Sequence, residues 1–68
     1  MKTNGLAIRR KRIEDGMTLR DLSAKVGMGI DALSLIERGK RQPRPATLQR
    51  IANGLNVAVG ALLLEAGE

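Results

Sequence analysis

The stretch Thr18–Gly39, TLRDLSAKVGMGIDALSLIERG, decides the fold. Leu22 and Val26 lie four apart and share one face of a helix, while Leu33 and Ile36 lie three apart and share a face of the next. Thr18 is placed to cap the first helix, because its hydroxyl accepts an orphan backbone N–H. Asp21, three residues on, completes a capping box. Gly27 falls where that helix has to stop, and glycine enters the left-handed conformation without a Cβ clash. Gly29 caps the second helix and Gly39 ends it. The spacing predicts two short helices, over 18–26 and 30–38, joined by a glycine turn.

Upstream, Met1–Asn4 is expected to be loose. Thr3 or Asn4 caps a helix that runs to about Asp15 and is ended by Gly16. Leu6, Ile8 and Ile13 are its apolar contacts. Arg9, Arg10, Lys11 and Arg12 run around it and cannot all point one way. Downstream, Lys40–Pro45 reads as a rigid basic loop, and Arg38, Lys40, Arg41 and Arg44 crowd cations beside the end of the third helix. Pro45 opens a fourth helix, where a missing N–H costs nothing. Leu48, Ile51, Ala52 and Leu55 form its buried stripe, and Asn53 and Gly54 predict its end. A fifth helix is expected over about Val59–Leu64. Leu62, Leu63 and Leu64 are consecutive, so one helix cannot bury all three on one face, and at least one is exposed or covered by a second copy. Residues 65–68 read as a frayed acidic tail.

The chain has 68 residues, a net charge of +5 and no cysteine, histidine or aromatic residue. That length fits one domain, 1–68 with a core at about 5–64, and leaves no room for a ligand-sensing domain. The core must be built from Leu, Ile, Val, Met and Ala. All five segments are helical and their connections short, so the fold class is all-α. The positive charge suits an anionic partner. Lack of aromatics disfavours recognition by base stacking. Without His, Cys or Tyr the usual bases and nucleophiles are missing, so no enzyme is expected, nor a metal, cofactor or small-molecule ligand. No apolar run approaches the ~20 residues that span a bilayer, and the expected compartment is the cytoplasm.

Taken together, the glycine turn, the small Ser23 four residues before it, the apolar set Leu22, Val26, Met28, Leu33 and Ile36, and the ending Ile36-Glu37-Arg38-Gly39 resemble the helix-turn-helix of Cro and the phage repressors, the xenobiotic-response-element family. The likeness extends to Arg12-x-x-x-Gly16 upstream and to Pro43–Leu55 downstream, over about residues 5–64. It implies a compact five-helix domain like that of lambda repressor, binding double-stranded DNA as a homodimer and acting as a transcriptional repressor. The base-reading positions it implies are Gly29, Ile30, Asp31, Ser34 and Leu35. Thr18, Arg38, Lys40 and Arg41 fall at phosphates, and Arg44 matches a minor-groove arginine. A structural ion pair between Arg12 and Glu37 is implied, as is a dimer interface near Val59, Leu62, Leu63 and Leu64. The chain departs from the family at Leu19 and Ile30, where many relatives carry a polar residue such as glutamine. Leucine and isoleucine cannot bond a base edge. Exposed Ile30 and Leu35 would equally suit a protein partner, the alternative being an interaction module such as an antitoxin or a regulator-binding factor.

Overall fold

In the computed structural model, which describes residues 2–64, four α-helices follow in order: α1 Gly5–Glu14, α2 Leu19–Val26, α3 Ile30–Glu37 and α4 Pro45–Leu55. A 3-10 turn, Val59–Leu62, comes last. Local chemistry sets the boundaries. The Asn4 side chain accepts the Ala7 N–H and starts α1. Thr18 and Asp21 form the reciprocal capping box of α2 at 3.0 and 2.9 Å. Gly27, at φ 81°, stops that helix. Asn56, one of the few residue types that tolerate φ 57°, stops α4.

The core is a single apolar cluster: Ile8, Leu22, Val26, Leu33, Ile36, Leu48, Ile51, Ala52, Leu55 and Leu62. The expected stripes of α2, α3 and α4 all lie in it. α2 packs against both α3 and α4, α1 closes over α3, and the 3-10 turn plugs the space between α1 and α4.

Several expectations need correction. Five helices become four α-helices and one 3-10 turn. A glycine at position 60 and only four residues between Ala58 and Leu63 cannot repay the nucleation cost of an α-helix. Leu63 and Leu64 are extended rather than helical. Leu64 N–H donates to Lys2 O at 2.9 Å and Asn4 N–H to Leu62 O at 2.7 Å, which forms an antiparallel bridge between Thr3 and Leu63. Lys2–Asn4 is therefore held by an isolated bridge and is not a loose end. Leu62, expected at a dimer interface, is only 1 % exposed in the single chain and belongs to its core. By contrast, α4 ends at Leu55, about where Asn53 and Gly54 predict, and the bare Gly54 lets α2 approach closely, since a Cβ there would sit 3.1 Å from Val26 Cγ2. On α1 only Ile8 reaches the core; Leu6 and Ile13 are more than half exposed. Met1 and the tail at 65–68 lie outside the described residues.

Candidate nucleic-acid interface

α3 stands between two different ends. At its carboxyl end Glu37, 8 % exposed, accepts Arg12 Nε at 2.7 Å and Nη2 at 3.0 Å, a two-pronged pairing. The third Arg12 nitrogen, Nη1, donates to Met17 O at 2.9 Å and so ties the α1–α2 link into the same knot. The Glu37 hydrogen bonds raise the Arg12 pKa above its ordinary value, and burial opposes them more weakly. Arg12 thus remains a cation, and its fixed planar donors match the carboxylate. Arg38 follows as the exposed C-cap residue, and Lys40 N–H returns to Leu35 O at 2.9 Å.

At the amino end of α3, Gly29 supplies no side-chain cap. Ile30, 39 % exposed, and Asp31 project outward, while Ser34 and Leu35 are half-buried one turn later. The five base-reading candidates therefore lie along one helix beginning at a bare N-terminus. Thr18 is exposed at the start of α2, but its N–H is already given to Asp21 and its hydroxyl already accepts from Asp21 N–H. Those bonds hold the Asp21 carboxyl below the usual carboxylate range.

Arg38, Lys40, Arg41 and Arg44 are all exposed, and among the described residues none pairs with a carboxylate. Arg41 and Arg44 meet Arg50 around a cleft of about 390 Å³ that also touches Met28, Ala32 and Ile36 of the turn and α3. The loop is not free to wander, because Gln42 Oε1 accepts the Thr3 N–H at 3.0 Å. Elsewhere, Val59 and Leu63 are half-buried at the rim of an apolar cleft of about 280 Å³ with Pro43, Pro45 and Leu48. Leu64 is 45 % exposed.

Sequence reasoning missed the parts played by four residues. Arg50 bonds the carbonyls of Val26 and Gly27 at 2.8 and 3.1 Å. Gln42 and Thr3 anchor the basic loop. Gly5 lies against α3, where a Cβ would come within 2.2 Å of Ile36 O. Each acts on residues distant in sequence, and no local pattern announces that. Among the described residues no cluster of potential metal ligands occurs, and no helix is long and apolar enough to cross a membrane.

The sequence pattern of the Helix-turn-helix family matches residues 8–62. The chain is similar to an uncharacterized HTH-type transcriptional regulator of Mycobacterium tuberculosis, with 41% identity over 82% of this chain and 22% of that protein. It is also similar to the HTH-type transcriptional repressor RghR of Bacillus subtilis, at 34% over 98% of this chain and 50% of RghR. Among solved structures, the clp gene regulator ClgR of Corynebacterium glutamicum superposes with a TM-score of 0.77 and 30% identity, covering 82% of this chain and 73% of that one. The chain spans about a fifth of the first relative and half of the second.

Proposed function

We propose, for a chain that belongs to the Helix-turn-helix family, that it is a sequence-specific double-stranded DNA-binding transcriptional regulator acting as a repressor and homodimer. One observation carries the reading: α3 begins uncapped with Ile30 and Asp31 exposed, and four exposed cations, unpaired among the described residues, flank the other end of that helix. α3 enters the major groove with its first residues at the base edges. Ile30 and Leu35 meet thymine methyls, Asp31 accepts from cytosine N4, and Ser34 bonds either partner type. Gly29, without a side chain, lets the backbone approach the bases.

Arg38, Lys40 and Arg41 take phosphates and Arg44 reaches the minor groove, with Thr18 at the backbone on the other side. One reader covers few base pairs, so two copies about 34 Å apart on the duplex multiply the discrimination. Val59, Leu63 and Leu64 supply the apolar face for the second copy. Repression follows from occluding a promoter in the cytoplasm, which requires no further surface, catalytic group or cofactor. The name of RghR as a repressor supports that sign of regulation.

Selection of duplexes from a random pool at near-physiological salt, followed by salt titration, tests the proposal. A two-fold symmetric winner held about 10³-fold over a scrambled duplex is expected. Arg44→Ala weakens both duplexes alike and lowers the salt slope by about 1. Substitution of Asp31 or Ser34 changes which sequence is preferred. Equal binding of every duplex by the unaltered protein overturns specific reading. The exposure of Ile30 beside Leu35 favours a second reading, a protein-interaction module. A stable complex with another protein, abolished by Ile30→Asp, together with no duplex preference, selects it.

A further inference from the structure

The carbonyls that end α2 point out of the helix, and Arg50 reaches them from α4. Its Nη2 donates to Val26 O at 2.8 Å and Gly27 O at 3.1 Å, across 24 and 23 residues of sequence. The last carbonyls of a helix lack intrahelical partners and carry the negative end of its dipole. A guanidinium answers both features with a fixed, planar set of donors and a permanent positive charge. α4 is itself seated firmly on α2 through Gly54, one turn after Arg50. The donor therefore stands on a fixed base.

The turn it grips has little else to hold it. Gly27 and Met28 N–H groups bond Ser23 O at 2.8 and 3.0 Å, and the following cap residue, Gly29, brings no side-chain bond. Arg50 shares its cleft with Arg41 and Arg44, so like charges push on it in the free protein. The two carbonyls are the partners that oppose this push.

We propose that Arg50 is a positioning residue for the reading helix. It fixes the α2–α3 turn, and hence the tilt at which Ile30, Asp31, Ser34 and Leu35 are presented, through the turn carbonyls and not through DNA. The inference rests on the DNA reading above and deepens it. Its role differs from that of Arg44, which meets the nucleic acid itself.

The test compares Arg50→Met, which keeps an apolar stem and removes the donors, with Arg50→Lys in the full chain. Four quantities are read: the melting temperature, amide hydrogen exchange at Gly27 and Met28 without DNA, the affinity ratio between the selected and scrambled duplexes, and the salt slope. With Arg50→Met, exchange at both amides rises several-fold, the affinity ratio falls about tenfold and the slope stays unchanged. Arg50→Lys, whose ammonium can still meet a carbonyl, recovers part of the ratio. A slope lowered by about 1 with the ratio intact makes Arg50 a phosphate contact and overturns the proposal. A fall in melting temperature with ratio and slope both intact reduces it to a helix cap and overturns it as well. Unchanged exchange removes the clamp whatever DNA does. Raised exchange in a protein that prefers no duplex sinks the DNA reading, and with it the role in presentation, while leaving the turn clamp in place.

Discussion

The carboxyl end of α3 is held by a buried two-pronged ion pair, by a third arginine bond to the α1–α2 link and by a glycine against its backbone. Its amino end, eight residues away, begins with a glycine that caps nothing, and Ile30 and Asp31 there face solvent. One helix thus carries both an over-determined end and an uncommitted one. The contrast teaches that rigidity in this domain is concentrated where the helix is anchored, so that side chains at the other end can be spent on recognition. Among the polar and exposed positions of α3, contribution to stability should therefore be large at Glu37 and small at Asp31 and Gly29, while Leu33 and Ile36 hold the buried face throughout.

The largest expected effect tests the anchored end. Glu37→Ala leaves the buried Arg12 charge without its partner, at a cost of about 3–5 kcal/mol. Domains of this kind are stable by only about 5–15 kcal/mol, so chemical denaturation should place the variant near its unfolding threshold. Glu37→Gln, which keeps the side-chain shape and one of the two acceptor oxygens but not the charge, should lie between it and the parent. An unchanged denaturation midpoint for Glu37→Ala would show that the knot does not anchor α3.

Gly5→Ala comes next. Alanine normally favours a helix over glycine by about 1 kcal/mol, but here the new methyl would meet the Ile36 and Glu37 carbonyl oxygens at 2.2 and 2.7 Å. Backbone must move, and the sign reverses to a loss of about 1–3 kcal/mol, readable as a lowered melting temperature. A rise instead would mean that α1 slides freely on α3.

At the uncommitted end the sign turns favourable. Gly29 has φ −68° and no atom near a built Cβ. Gly29→Ser should therefore add a cap worth a few tenths of a kcal/mol. The same substitution is expected to lower affinity for the selected duplex, since it places a side chain where, in the proposed docking, the backbone meets the bases. Stability and binding would then move in opposite directions in one variant.

The smallest effect concerns α2, whose amino end is capped where that of α3 is not. The Asp21 carboxyl is held below its ordinary range by Thr18, so its stabilisation is complete above the unfolded carboxyl value, about 4, and disappears as pH falls through the lowered folded value. The melting-temperature difference between the parent and Asp21→Ala should be constant at neutral pH and shrink only in acid. A difference that persists unchanged at acid pH would assign the effect to something other than the carboxylate.

Leu22, Val26, Leu33, Ile36, Leu48, Ile51 and Leu55 announced their helices because a buried stripe at helical spacing has one geometric solution. Thr18, Asp21 and Gly27 marked boundaries because caps act within four residues. α1 was harder to read: its apolar residues are scattered, and Leu6 and Ile13 are exposed while only Ile8 goes in. The three consecutive leucines were ambiguous for the same reason, since each backbone conformation buries a different one, and the extended segment after Leu62 is fixed by pairing with Lys2–Asn4 from the opposite end of the chain. The loop cations were visible as a run of charge, but Arg50 was not, since a lone arginine on α4 looks like surface until its partners 23 and 24 residues away are known.

The bridge between Thr3 and Leu63 has a consequence for anything attached to this domain. The two bridged segments lie at one corner of the fold, and Thr3 is bonded to Gln42 in the loop that carries Arg41 and Arg44. A domain fused ahead of Lys2 or beyond Leu64 would be tethered beside that loop at high effective concentration. If the domain binds DNA as proposed, an acidic fusion there would compete with phosphate for the arginines, and a basic one would extend the footprint. The same bridge thus makes this corner the natural place to graft control.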